Sequence, residues 1–142
     1  MNVIVTDEGF ANDDWGYGFI AAPDLETSAA NAPAVAVDLA SDADPTILTG
    51  RLDGIDLIRV DFPSFADGRG FTLARRLRLM GFAGRLRARG HVIADQYAMA
   101  RRAGFDEVEI DQDLAERQPW DQWQARANWQ SHDYQTRLRG AV

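Results

Sequence analysis

A chain of 142 residues with 46% apolar and 26% charged content suits one compact domain and excludes a multi-domain enzyme. It contains no cysteine, which excludes disulfides, Cys-held zinc or iron-sulfur clusters and thiol catalysis by this chain alone, so any redox role needs a partner or a bound cofactor. A net charge of −7 argues against a nucleic-acid surface, and no run approaches the roughly 18 apolar residues of a membrane span.

The mean charge hides an asymmetry. Residues 1–68 hold 13 acids and two arginines, whereas 69–110 hold nine arginines and four acids. All fifteen basic residues are arginine, so proton-transfer lysines are absent while forked grips on oxyanions are plentiful. The start MNVIVTDEGF lacks the basic-then-apolar order of a signal peptide, and a cytoplasmic protein is expected.

In chain order, residues 1–34 are acidic and rich in Gly, Ala and Asn, and read as an arm with one short strand at Val3 to Thr6 and a turn at Asp7-Glu8-Gly9. A β-α core spans 35–111. Short apolar strands at Ala34 to Leu39, Asp56 to Phe62, Arg85 to Ala88 and Glu107 to Ile110 are each followed by a polar or helical stretch. Leu73, Ala74, Leu77 and Met80 recur at helical spacing and stop at Gly81; Val92, Met99, Ala100 and Ala103 do so again and stop at Gly104. Gly81-Phe82 and Gly104-Phe105 thus close two equivalent units. A C-terminal helical segment, 112–142, opens at Pro119 and puts Trp120, Trp123, Ala127, Tyr134 and Leu138 on one stripe, with Trp129 on the opposite side.

The fold expected is α/β, a small parallel sheet of about four strands in β-α units. Alternation within the strands sharpens this. Ile58, Val60 and Phe62 oppose Arg59 and Asp61; Leu86 and Ala88 oppose Arg85, Arg87 and Arg89; Val108 and Ile110 oppose Glu107, Glu109 and Asp111. A parallel sheet covered on both faces reads as continuously apolar, so this one has helices mainly on one face and a charged opposite face, like a β/α barrel cut open. If the arginine strand lies between the acidic ones, the charges pair across strands. The charged face needs a cover, from the arm, the C-terminal segment or a second subunit. With Trp129 off its stripe, it leads to the expectation of a homodimer.

Chemistry concentrates at the strand ends, where α/β folds bind ligands. The run from Asp61 to Thr72 includes Ser64, Asp67, Gly68, Arg69 and Gly70 and joins a strand to a helix N-terminus. Two glycines, free N–H groups and an arginine fork suit a sulfate-, sulfite-, phosphate- or carboxylate-like group, or else Asp67 and Arg69 brace the turn. The run is neither a Walker loop nor a dinucleotide fingerprint. Gly90 and His91 end the next strand beside it, and His91 could act as acid, base or anion donor. Asp95 and Gln96 follow, Gln96 within an apolar stripe where it needs a partner, and Arg87 stands on the charged face. Candidate catalytic groups are therefore Asp67, Arg69 and His91. Ser64 has no local base to make it a nucleophile. Two histidines and no thiols give no expectation of a tightly bound metal or other cofactor.

The run Val60 to Gly70, followed by Ala74-Arg75, Leu77-Arg78, Gly81-Phe82, Leu86-Arg87-Ala88, Gly90, Asp95-Gln96, Arg102 and Gly104-Phe105-Asp106, resembles the bacterial domain of unknown function 934 family. The resemblance covers about residues 50 to 111, with echoes at Asp14-Trp15 and Tyr134-Gln135. The family pattern carries an acidic residue where Arg85 stands and an aspartate where His91 stands. Members are commonly labelled probable oxidoreductases of sulfite reduction. The resemblance therefore implies an accessory or regulatory protein of assimilatory sulfate or sulfite reduction, binding an oxyanion or docking on the reductase, with an independent small-molecule enzyme as the alternative.

Overall fold

The computed structural model describes residues 2–25 and 34–129. His132, Tyr134, Gln135 and Leu138 lie outside the described residues. The strands are β1 (Asn2–Thr6), β2 (Gly9–Asn12), β3 (Ile20–Ala21), β4 (Ala36–Leu39), β5 (Leu57–Phe62), β6 (Arg85–Gly90) and β7 (Glu107–Asp111). Helix α1 (Arg69–Leu79) joins β5 to β6 and α2 (Tyr97–Ala103) joins β6 to β7; α3 (Gln112–Arg117) and α4 (Trp120–Gln124) follow.

These strands form one sheet in the order β2-β1-β7-β6-β5-β4-β3. Strands β3 to β7 run parallel in sequence order, while β1 lies antiparallel to β7 and β2 antiparallel to β1. The α/β class and one-sided helices agree with the sequence; the strand number is corrected from about four to seven. The extra strands come from the N-terminal segment: β1, expected at Val3 to Thr6 within the arm, pairs into the sheet, while Gly9–Asn12 and Ile20–Ala21, at four and two residues, are too short to show a period-two pattern.

Helices α1 and α2 bury Leu73, Ala74, Leu77, Ala100 and Ala103 against Ile58, Val60, Leu86, Ala88 and Val108 of the sheet. Each helix ends on a glycine with positive φ, Gly81 at 101° and Gly104 at 117°, after which Phe82 and Phe105 return to the core. The paired Gly-Phe units are thus two equal ways of stopping a helix and seating an aromatic under the sheet. At the far end, Trp123 of α4 is fully buried against Tyr97 and Phe10.

The opposite face carries the charges, and register explains how they are met. Arg59 and Arg87 stand abreast on β5 and β6, an arrangement that repels, and Arg87 faces Glu107 on β7. Glu109 relieves the repulsion: its Oε1 accepts from Arg87 Nη1 at 2.8 Å and from Arg59 Nη1 at 3.1 Å. Arg87 has no exposed surface and also reaches Glu107 at 2.9 Å, while Arg59 is gripped by both oxygens of Asp38. Arg85 pairs with Glu107 in turn. The arginine strand therefore lies between β5 and β7 as expected, but its charges pair across to β7 alone, because β5 sets Arg59 beside Arg87.

The connection from β2 to β3 covers this face. Asp13 reaches Arg87 at 3.2 Å, Asp14 reaches Arg85 at 2.8 Å, and the Phe19 ring lies 3.5 Å from the Arg59 guanidinium carbon. Because β2 and β3 occupy opposite edges of the sheet, this strap crosses six inter-strand gaps, about 29 Å at roughly 4.8 Å each. Eight Cα steps from Asn12 to Ile20 reach roughly 26–29 Å. A flat sheet would leave no slack, so the edges curl toward the strap and the charged face is concave. Trp129 is half-buried and has partners within the chain: its indole donates to Asp7 and the Arg101 guanidinium lies over its ring. With both surfaces occupied from within the chain, neither argues for a homodimer.

Glu109 shows how the network stabilises. Burial alone would push its carboxyl up, but the hydrogen bond from Asn2 and the charges of Arg59 and Arg87 outweigh that and hold it below its usual value. A carboxylate depressed in the folded state adds stability above its unfolded pKa of about 4.3, and that stability is lost as pH falls through the folded value. The unfolding free energy is expected to drop on acidification below about pH 4–5, and Glu109→Gln should flatten that drop; denaturant titrations across pH check it. Arg87→Met takes the shared cation from two buried carboxylates and should cost roughly 3–5 kcal/mol, whereas Arg75→Ala on the exposed side of α1 should stay within about 0.5 kcal/mol. Urea melts of both variants measure the contrast.

Candidate functional site

The parallel strands deliver the C-terminal ends of β5, β6 and β7 to one edge. Phe62, the last residue of β5, organises that edge. Its ring packs on Phe71 of α1 and on Phe105, with centroids 5.0 and 5.8 Å away. A Cβ on Gly70 would come within 2.4 Å of this ring, and a Cβ on Gly90 within 2.6 Å of the Phe62 carbonyl oxygen. Gly90 also needs its φ of 114°, which lets the His91 amide donate back to that same carbonyl at 2.9 Å. Both glycines are therefore small because Phe62 is large. Gly68 has open space around it and takes an ordinary φ of −89°.

Arg69 is already engaged. Its Nε and Nη2 donate to the two oxygens of Asp67 at 2.9 and 2.7 Å, Nη2 also reaches Ser41 Oγ at 3.1 Å, and Asp67 accepts the Arg69 backbone N–H. The side-chain hydrogen bond from Arg69 holds the Asp67 carboxyl far below the ordinary carboxylate range. This is the bracing geometry, in which the carboxylate fills the anion position at the helix start. Ser64 accepts the Ala66 amide and braces the same turn. Gln96 fastens that loop to the next: its Oε1 accepts from Ile93 N and its Nε2 donates to the Phe65 carbonyl. Asp95 pairs with Arg126 on the surface, and Arg87 belongs to the buried network.

What faces solvent at this edge is a cleft of about 260 Å³ between the ends of β5, β6 and β7. Of the residues expected from sequence it gathers Gly90 and His91, and it adds Asp61, Arg89, Glu109 and Arg117. Arg89 lines the cleft, is 45% exposed and meets Glu109 through Nε at 3.4 Å, too long for a strong hydrogen bond. His91 is exposed, its ring edge-on to Phe65 at 5.2 Å. Arg117 makes a long 3.4 Å contact to the Asp113 carbonyl. Two carboxylates in the wall are committed elsewhere, Glu109 to the network and Asp111 as the cap of α3. Asp61 is not: it has no hydrogen bond or ion pair to a described residue. Arg89 and Arg117 were not singled out from sequence, although Arg89 sits one residue before the Gly90-His91 pair that was. Arg117 could not have been found, since α3 folds back onto the edge only in three dimensions.

Among the described residues no group of three His, Asp or Glu is arranged to hold a metal ion, and no helix is long and apolar enough to cross a membrane. The arrangement can bind a small anion through arginine and imidazole N–H groups, with Asp61 able to accept a proton.

The glycines give a direct check on this account. Gly70→Ala should destabilise the fold by about 1–3 kcal/mol through the Phe62 ring, while Gly68→Ala should cost well under 1 kcal/mol. Guanidinium melts of the two variants decide it; equal effects would return both glycines to a phosphate-cradle role.

No curated protein and no solved structure matches this chain. The model of the bacterial protein family of unknown function DUF934 matches residues 36–142, which takes in β4 to β7 with Arg59, Arg87, Arg89, His91, Glu107, Glu109 and Arg117, and leaves out β1 to β3, Asn2 and the strap. The chain belongs to that DUF934 family.

Proposed function

We propose that this is a cytoplasmic accessory protein of assimilatory sulfite reduction that binds a small oxyanion at the C-terminal edge of its sheet. One observation carries the binding: Arg89, His91 and Arg117 surround a cleft of about 260 Å³ with N–H groups that the rest of the fold leaves unspent. Of the neighbouring carboxylates, Asp111 caps α3, and Glu109 is held at shorter distances by Arg59 and Arg87 and reaches Arg89 only at 3.4 Å. The sulfur context rests on the family resemblance, whose members are labelled for that pathway. The absence of cysteine favours an accessory role over an autonomous redox catalyst. A second reading, a small-molecule enzyme at the same edge, draws on Asp61, the cleft carboxylate that has no partner among the described residues and that could act as a general base beside His91.

Sulfite or sulfate should raise the melting temperature, because a ligand held by the native state alone stabilises it by mass action. Chloride at equal ionic strength should do less. Arg89→Ala removes a charge-assisted contact of roughly 1.5–3 kcal/mol and should weaken binding about tenfold or more, with partial rescue by Arg89→Lys. Arg69→Ala should leave the ligand shift in place, since that guanidinium serves Asp67. Loss of the shift in Arg69→Ala but not in Arg89→Ala would move the anion to the β5–α1 loop. Adding the chain to a sulfite reductase assay tests the accessory role, which predicts a change in its turnover or its affinity for sulfite.

A further inference from the structure

A second cleft, of about 540 Å³, opens beside the first at the ends of β3, β4 and β5. Its wall is mostly apolar, built from Ala22 and Leu39, both buried, and from Ala43 and Ile47, the latter 45% exposed. An exposed isoleucine facing a concave apolar wall is the composition of a small-molecule site. Asp61 and Arg89 border both clefts. They are register partners on β5 and β6, yet Arg89 leans away toward Glu109 and no ion pair joins the two. The partition between the clefts is thus a cation and a carboxylate, each with hydrogen-bonding capacity left over.

The two clefts differ in charge. The first offers Arg89, His91 and Arg117; the second is rimmed by Asp38, Asp42, Asp44 and Asp61. Asp38 is matched by Arg59 and Asp44 caps its own turn, but the rim remains acidic and repels a bare anion. An inorganic oxyanion therefore has a place in the first cleft and none in the second. A ligand that uses both must put its anionic group against the arginines and an apolar body against Leu39, Ala43 and Ile47.

We infer that the ligand of this edge is an organic oxyanion, a sulfonate, carboxylate or phosphate group joined to an apolar body that lies in the second cleft. The inference rests on the oxyanion reading of the first cleft and extends it to the ligand class. Arg89 at the partition fixes the anionic group, and Asp61 beside it accepts a hydrogen bond from any N–H or O–H on the body.

Calorimetric titration of the full chain with sulfate, methanesulfonate and benzenesulfonate tests it. Benzenesulfonate should bind about tenfold tighter than methanesulfonate, because the ring removes apolar wall from water. The same gain is expected for benzoate over acetate and for phenyl phosphate over inorganic phosphate. Ile47→Asn, a neutral polar change at an exposed position, should erase the gain while leaving sulfate affinity unchanged; Arg89→Ala should weaken all of them. Equal affinities for methanesulfonate and benzenesulfonate in the unmodified protein would overturn the organic-ligand inference and leave the anion site standing. Failure of every anion to bind would overturn the reading of the first cleft, and this inference with it.

Discussion

Arg87 is a guanidinium with no exposed surface on the concave face of a β-sheet, and burying it constrains everything around it. A charge taken out of water must be matched by opposite charge at hydrogen-bonding distance. Glu107 and Glu109 supply the match, and because they are themselves nearly buried they need further cations and donors, which Arg85, Arg59 and Asn2 provide. The chain of obligations runs across five strands, from Asp38 on β4 to Asn2 on β1. Removing one member leaves its buried neighbours short of a partner, so the network acts as a unit.

That unit also explains the N-terminal segment. A concave charged face left open would hydrate its ion pairs and weaken them. The strap closes it with two carboxylates and an aromatic ring over Arg59, at the cost of a nearly straight path between the sheet edges. The hairpin β1–β2 and the short β3 serve as the strap's anchors: each end is pinned by pairing into the sheet it crosses. Curvature, cover and charge pairing are one arrangement seen from three sides.

The network runs out at the C-terminal edge. On β6, Arg85 and Arg87 are shared between carboxylates, but Arg89 has only a distant oxygen of Glu109, and Asp61 opposite it has no partner among the described residues. Charges that the interior satisfies are structural; those it leaves half-satisfied at a concave edge are free for a ligand. The same edge is held rigid by Phe62, which dictates glycine in the first turn of α1 and at the end of β6, and by Gln96, which ties one loop to the next. Rigid loops around underused arginines are what an anion site requires.

Much of this was legible in one dimension. The alternation of Arg59, Asp61, Arg85, Arg87, Arg89, Glu107 and Glu109 with apolar neighbours determined a sheet with one charged face, since period two is a local property of an extended chain. The Gly81-Phe82 and Gly104-Phe105 stops were equally local, because a left-handed helix end needs glycine whatever surrounds it. The part played by Arg69 was not legible: Asp-Gly-Arg-Gly reads as an anion loop or as a brace with equal ease, and the side-chain geometry of Asp67 and Ser41 makes it a brace. Gly70 looked like a turn glycine and is a packing glycine, because the Phe62 ring that excludes a side chain there arrives from another element. Likewise the strap, the burial of Arg87 and the meeting of Arg89 with Arg117 depend on segments far apart in sequence. Sequence fixes what a residue can do with its immediate neighbours; which charges end up buried, covered or left over is decided by long-range contacts, and only the folded chain specifies those.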